Sequence, residues 1–177
     1  MASFVDRVVG AARLSVPTYE EVEADKTATP QAMGVVALVA LASGVGAIGT
    51  GGAGVVATVV GALVGWVVWA SLIWLIGAVL LPEKQTEADI GQLLRTIGFA
   101  AAPGMLLVLR LLPLIGTLVA LVVWVWQLAT TVVAVRQALD YRSTGRAVAV
   151  CLMGWVIYVV VSFTIALMFG ISSVELG

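Results

Sequence analysis

The stretch "SGVGAIGTGGAG", Ser43 to Gly54, carries Gly44, Gly46 and Gly49 in the spacing GxGxxG. In a soluble enzyme that spacing suggests a dinucleotide cradle, which needs a strand before it, a helix after it and an acid about 20 residues on for the ribose hydroxyl. Here no acid lies between Asp25 and Glu83, and everything from Thr27 to Pro82 is uncharged. The ribose would have no partner. The same glycines suit a tight turn between two apolar helices, because φ > 0 costs glycine little. The turn reading makes residues 27–82 a helical hairpin long enough to cross a bilayer twice, about 20 apolar residues being needed per crossing.

Composition extends that reading to the whole chain. It is 62% hydrophobic and 11% charged, with a mean hydropathy of +1.13, whereas soluble domains carry about 25% charged residues. This is the make-up of one small all-α polytopic membrane domain. A net charge of −1 with no basic patch gives no case for nucleic acid. Histidine is absent and Cys151 is the only cysteine, which removes an intramolecular disulfide, a cysteine-based metal cluster and the commonest general base. No nucleophile, base and orienting acid can be assembled within the membrane, so neither an enzyme nor a cofactor is expected, and Cys151 reads as an inert buried thiol.

The gaps between charges place spans at about 31–48, 53–81, 97–112, 114–135 and 147–169, behind an N-terminal arm of residues 1–30. The third is interrupted by Pro103 and Gly104 and carries Arg110, so it is either a short kinked span or a re-entrant hairpin. Thr86 and Asp89 in capping-box spacing predict that its helix starts near Glu87. Basic residues favour five full crossings. With five, Arg7, Arg13, Lys26, Lys84, Arg95, Arg136, Arg142 and Arg146 fall on one side and Arg110 alone on the other. Positive charge collects in the cytoplasm, which puts the N-terminus inside and the C-terminus outside, as in a bacterial cytoplasmic membrane.

In the arm, Phe4, Val5, Val8, Val9 and Ala12 share one arc of a helix, with Asp6, Arg7, Gly10 and Arg13 opposite. That helix either lies in the membrane interface or packs on the protein's own loops. The apolar run is broken by Asp6 and Arg7, which argues against a secretory signal. Thr18 and Glu21 in capping-box spacing predict a second short helix, whose Glu20, Glu21, Glu23 and Asp25 read as a solvated face rather than a cation site.

Within the spans a few residues stand out. Gly61 and Gly65 form a GxxxG pair that lets another helix approach closely, with a partner in the same chain preferred over one in another. Gln127, Thr130 and Thr131 form a polar turn in the fourth span, and such groups bond between helices more often than they bind a solute. Arg110 could line an anion path beside Pro103, but a side chain snorkelling to the headgroups explains it more simply. Trp66, Trp69, Trp74, Trp124, Trp126 and Trp155 include several that fall well inside spans and read as packing or partner surfaces.

In order along the chain, "PTYEEVEAD", "LLRTIGFAAAPGMLLVL", "PLIGTLVALVVWVWQLATTVVAVRQAL" and "STGRAVAV" resemble the Yip1 family of five-span membrane proteins, especially its prokaryotic branch. The likeness runs over nearly the whole chain and is strongest at Gly98–Gly104 and Pro113–Gly116. It implies a cytoplasmic N-terminus and five clustered helices. Eukaryotic relatives act in vesicle traffic with small GTPases, but their acidic "DLYGP" segment is missing here, so no GTPase-binding residue carries over. Three functions follow as expectations: a non-enzymatic membrane-organising scaffold working through helix packing and oligomerisation, a small-solute channel at the broken third helix, or an accessory subunit of a larger membrane complex.

Overall fold

A computed structural model of the chain describes residues 2–46, 54–112 and 114–168. It holds seven α-helices among those residues: α1 (Phe4–Ala12), α2 (Val16–Ala24), α3 (Thr29–Gly46), α4 (Val55–Trp74), α5 (Ile90–Ala100), α6 (Gly116–Ala138) and α7 (Thr144–Met168). A π-helical turn, Leu75–Leu80, prolongs α4, and a 3₁₀ segment, Ala102–Leu111, prolongs α5. Five stretches are long and apolar enough to cross a membrane: Lys26–Val45, Val55–Leu80, Ile90–Leu111, Gly116–Ala138 and Thr144–Val161. The expected turn over Gly49–Gly54 lies outside the described residues except for Gly54.

The third segment runs on from α5 into the 3₁₀ segment without a hairpin, and Ile90–Leu111 is long and apolar enough to cross, which favours the kinked span over the re-entrant alternative. Its helix begins at Ile90, three residues later than the expected start near Glu87. Asp89, not Thr86, caps α5: the Asp89 carboxylate accepts from Gln92 N at 2.8 Å, and Gln92 Oε1 accepts from Asp89 N at 2.6 Å. Thr86 is engaged elsewhere, donating to Leu139 O at 2.8 Å and so tying the α4–α5 connector to the α6–α7 connector. Likewise Thr18 lies inside α2, which Pro17 opens in the first turn, while the working box in the arm is Ser3 with Asp6.

The third span is the hub. It is 56% buried, against 28%, 22%, 22% and 17% for the first, second, fourth and fifth. Its small residues make this possible. A Cβ added to Gly98 would meet Ala32 Cβ at 2.8 Å and Ala32 O at 3.3 Å, and one added to Gly104 would meet Val39 Cγ1 at 2.5 Å. These glycines bring α3 against the hub at backbone distance, the device that joins helices in lipid, where the hydrophobic effect cannot. Gly61 and Gly65 make no such contact among the described residues: nothing there lies within 4 Å of a Cβ built on either. On α4 Gly61 is exposed and Gly65 half-buried, so the described helices leave the pair without a close neighbour.

Candidate functional site

The break in the third span and the arm docked beside it concentrate the buried polar chemistry of the described residues. At the break, Pro103 has no N–H, so neither helical pattern supplies the Ala100 carbonyl with a donor. The 3₁₀ partner would be the Pro103 nitrogen, while the α-helical partner, Gly104 N, bonds Ala101 O instead at 2.8 Å. Helix α6 repairs the gap. Thr130 Oγ1 donates to Ala100 O at 2.7 Å and Gln127 Nε2 donates to Ala101 O at 3.2 Å. Gly104 allows the approach, since a Cβ there would sit 2.7 Å from Gln127 Nε2. Pro103, Gly104, Gln127 and Thr130 thus form one staple between the third and fourth spans. Among the described residues no side-chain hydrogen bond joins Thr131 to it.

Arg110 lies apart. It is exposed at the far end of the 3₁₀ segment, over a shallow hollow of about 370 Å³ shared with Leu112, Leu114, Gly116, Thr117 and Ala120. Thr117 and Gln127 are ten residues apart on α6, or ~15 Å along the axis, so the hollow at Arg110 lies well away from the staple.

The arm packs on the protein itself. Helix α1 buries Phe4, Arg7, Val8 and Ala11 partly or wholly, and the Phe4 ring stands 6.5 Å from that of Phe99. The expected apolar arc is split, with Val5 and Val9 left exposed, and Arg7, expected on the polar side, is only 2% exposed. Neutralisation explains its burial. Arg7 Nη2 lies 3.0 Å from Glu21 Oε1 and 2.6 Å from Asp25 Oδ2, and Nη1 donates to Gln31 Oε1 at 3.1 Å. Hydrogen bonds from Thr27 and from Arg7 hold the Asp25 carboxyl down at about 2, and Arg7 likewise lowers Glu21. The acidic cluster is thus only partly a solvated face: Glu21 and Asp25 pair with Arg7, Glu23 accepts from Gln92 Nε2 at 3.1 Å, and the exposed Glu20 accepts from Gln137 Nε2 at 3.3 Å.

Arg95 completes the dock, a role that its place among the basic residues of one side did not reveal. It is 4% exposed, and its Nε donates to Val22 O at 3.0 Å and Glu23 O at 3.1 Å, with Nη2 also on Glu23 O. Those carbonyls belong to the last turn of α2, which has no basic residue of its own. A helix C-terminus leaves carbonyls unpaired and carries partial negative charge, so a guanidinium from α5 answers both needs. Three tryptophans act in the same manner: Trp126 donates to Ala12 O at 2.7 Å, Trp66 to Leu94 O at 3.1 Å and Trp74 to Ala88 O at 2.9 Å. Trp124 and Trp155 face outward. Among the described residues no group of three His, Cys, Asp or Glu side chains is placed to hold a metal ion.

Five apolar crossings around a broken, small-residue hub define an integral membrane helix bundle. The family model described as the Yip1 domain matches residues 25–168. The chain belongs to the Yip1 family. No curated protein and no solved structure matches it.

Proposed function

We propose that this Yip1-type protein is a non-enzymatic membrane-organising scaffold that works by assembling with other helices. The observation that carries the reading is the open Gly61–Gly65 face on a second span only 22% buried. A close-approach surface that the described residues leave uncovered is suited to a helix from a second chain. Gln127 and Thr130 are occupied by the Ala100 and Ala101 carbonyls, which favours a scaffold over a solute channel. The arm and both polar connectors share one end of the bundle, tied by Gln92 to Glu23, Gln137 to Glu20 and Thr86 to Leu139. Eight of the nine basic residues fall on that side, so we assign it to the cytoplasm of a bacterial membrane, with the C-terminus outside.

The test is the mass of the complex extracted in mild detergent, with every co-purifying chain identified, for the native protein and for Gly61→Ile and Gly65→Ile. The expected outcome is an oligomer that both variants weaken by about tenfold or more while the monomer keeps its thermal stability. Unchanged assembly in both variants sinks the interface. A stoichiometric foreign chain would make the protein an accessory subunit instead.

A further inference from the structure

A groove runs down the seam between α7 and the π-helical turn that ends the second span. Ile76, Leu81, Met153, Val156 and Ile157 line it, and its volume is about 510 Å³. Nothing in the described chain covers it. Four of those five side chains are between 37% and 53% exposed. Along α7, Arg146 precedes Met153 by seven residues and Val156 and Ile157 by ten and eleven, so all four share one helical face. The groove therefore has a guanidinium at its head.

The fixing of that head is unusual. Arg146 Nη2 donates to Leu81 O at 2.9 Å and Pro82 O at 3.1 Å, while the guanidinium stands 5.3 Å from the Tyr141 ring centre. The carbonyls orient the group without neutralising it. Among the described residues its one carboxylate neighbour is Glu83, with Oε1 3.7 Å from Nη1, and Glu83 Oε2 is already shared by Gln85 Nε2 and Arg142 N. Lys84 and Arg142 are exposed alongside, so residues 81–84 and 141–146 bring three cations against one acid.

We propose that this seam binds an anionic phospholipid, with one acyl chain in the groove and the phosphate at Arg146, Arg142 and Lys84. The apolar length lies on membrane-spanning helices and the positive charge at their polar end, which is the polarity of a lipid and not of a free anion or an apolar peptide. Basic pockets between spans on the connector side recognise lipid headgroups in this manner.

The experiment uses the full chain, delipidated in neutral detergent and titrated with phosphatidylglycerol or phosphatidylcholine of identical chains. Bound lipid is counted by native mass spectrometry and thermal stability is followed in parallel. Phosphatidylglycerol should be retained preferentially. The preference should fall roughly fivefold for each charge removed in Lys84→Gln and Arg142→Gln, two exposed sites whose loss leaves the Arg146 anchor in place. Val156→Trp, which fills the groove from an outward position, should abolish retention. Equal retention of the two lipids, or an unchanged preference in the double variant, overturns the proposal. Protection by inorganic phosphate equal to that by phosphatidylglycerol overturns it in favour of a headgroup-only site. A second copy on the seam would show as a dimer that Val156→Trp dissociates with no lipid lost, and that too overturns it.

Discussion

The second and third spans invert the rule that governs water-soluble proteins. The second has a mean hydropathy of 2.3 and is 22% buried; the third has 1.5 and is 56% buried. In water the most apolar element seeks the core because its surface is repelled by solvent. In lipid that drive is absent, so the most apolar helices can remain at the periphery, while the centre goes to the segment whose small and polar residues gain most from contact with protein. Glycines, a proline and a paired arginine therefore mark the interior here.

That contrast breaks most readily at Gly98. A leucine there would drive into the Ala32 backbone, 3.3 Å from the position of its Cβ, and overpacking of this kind costs ~3 kcal/mol. Gly98→Leu should lower the unfolding temperature sharply in detergent, whereas Val64→Leu on the exposed face of α4 should leave it unchanged. Equal effects would show that the hub is no better packed than the periphery.

Arg95 comes next. Replacing it by Met keeps the volume but strips the Val22 and Glu23 carbonyls of their donor, which should cost ~2 kcal/mol of docking. Proteolysis near the α1–α2 junction, around Arg13, should accelerate by more than tenfold with the bundle intact. An arm equally resistant in Arg95→Met would mean that apolar contacts alone hold it.

These two residues show what could and could not be read beforehand. Span number and type were legible because 20-residue uncharged runs have few alternatives, and the Pro103–Gly104 break was legible because proline cannot donate. What filled the break was not. Thr130 and Gln127 looked like a generic polar turn, and only the relative register of α5 and α6 shows that they answer the carbonyls exposed by Pro103. Arg7 reads on the polar face of the arm helix and Arg95 only as one of the charges on the cytoplasmic side, because burial of a cation depends on partners distant in sequence, such as Glu21 for Arg7 and Glu23 for Arg95. The capping boxes failed for a different reason: Ser3 with Asp6 and Asp89 with Gln92 fit the spacing as well as Thr18 with Glu21 and Thr86 with Asp89 do. Tertiary demands on Thr86 and Glu21 decided between them. The Gly61–Gly65 pair could not be assigned a partner in the same way, since small residues on a face permit close packing without saying from which chain.

A smaller effect separates the two threonines. Thr130→Val removes the donor to Ala100 O and should cost ~1 kcal/mol, the usual scale of an interhelical bond in a membrane. Thr131→Val should cost nothing measurable. If the two variants unfold at one temperature, Ala100 O finds another donor and the staple contributes nothing to stability.

The subtlest test concerns pH and sets the arm against the bundle. Burial, then the charge of Asp140, raises the Glu23 carboxyl from an ordinary 4.5 to about 7, with Glu20 and Asp89 adding in the same sense and Arg95 opposing. Docking therefore favours the protonated acid. The contribution is fully present below pH 4.5 and is lost as pH rises through 7. Glu21 and Asp25 act in reverse: Arg7 and Thr27 depress them, so their contribution is present above their ordinary values of 4.5 and 3.8 and fades as pH falls further. The two trends cross near the ordinary carboxylate range, so amide exchange in α2 should be slowest near pH 5 once corrected for its intrinsic pH dependence. It should quicken toward pH 8, and Glu23→Gln should flatten that alkaline limb while leaving the acid limb untouched. An alkaline limb that persists in Glu23→Gln would place the titrating group elsewhere, and the arm's hold on the bundle would then owe nothing to the proton on Glu23.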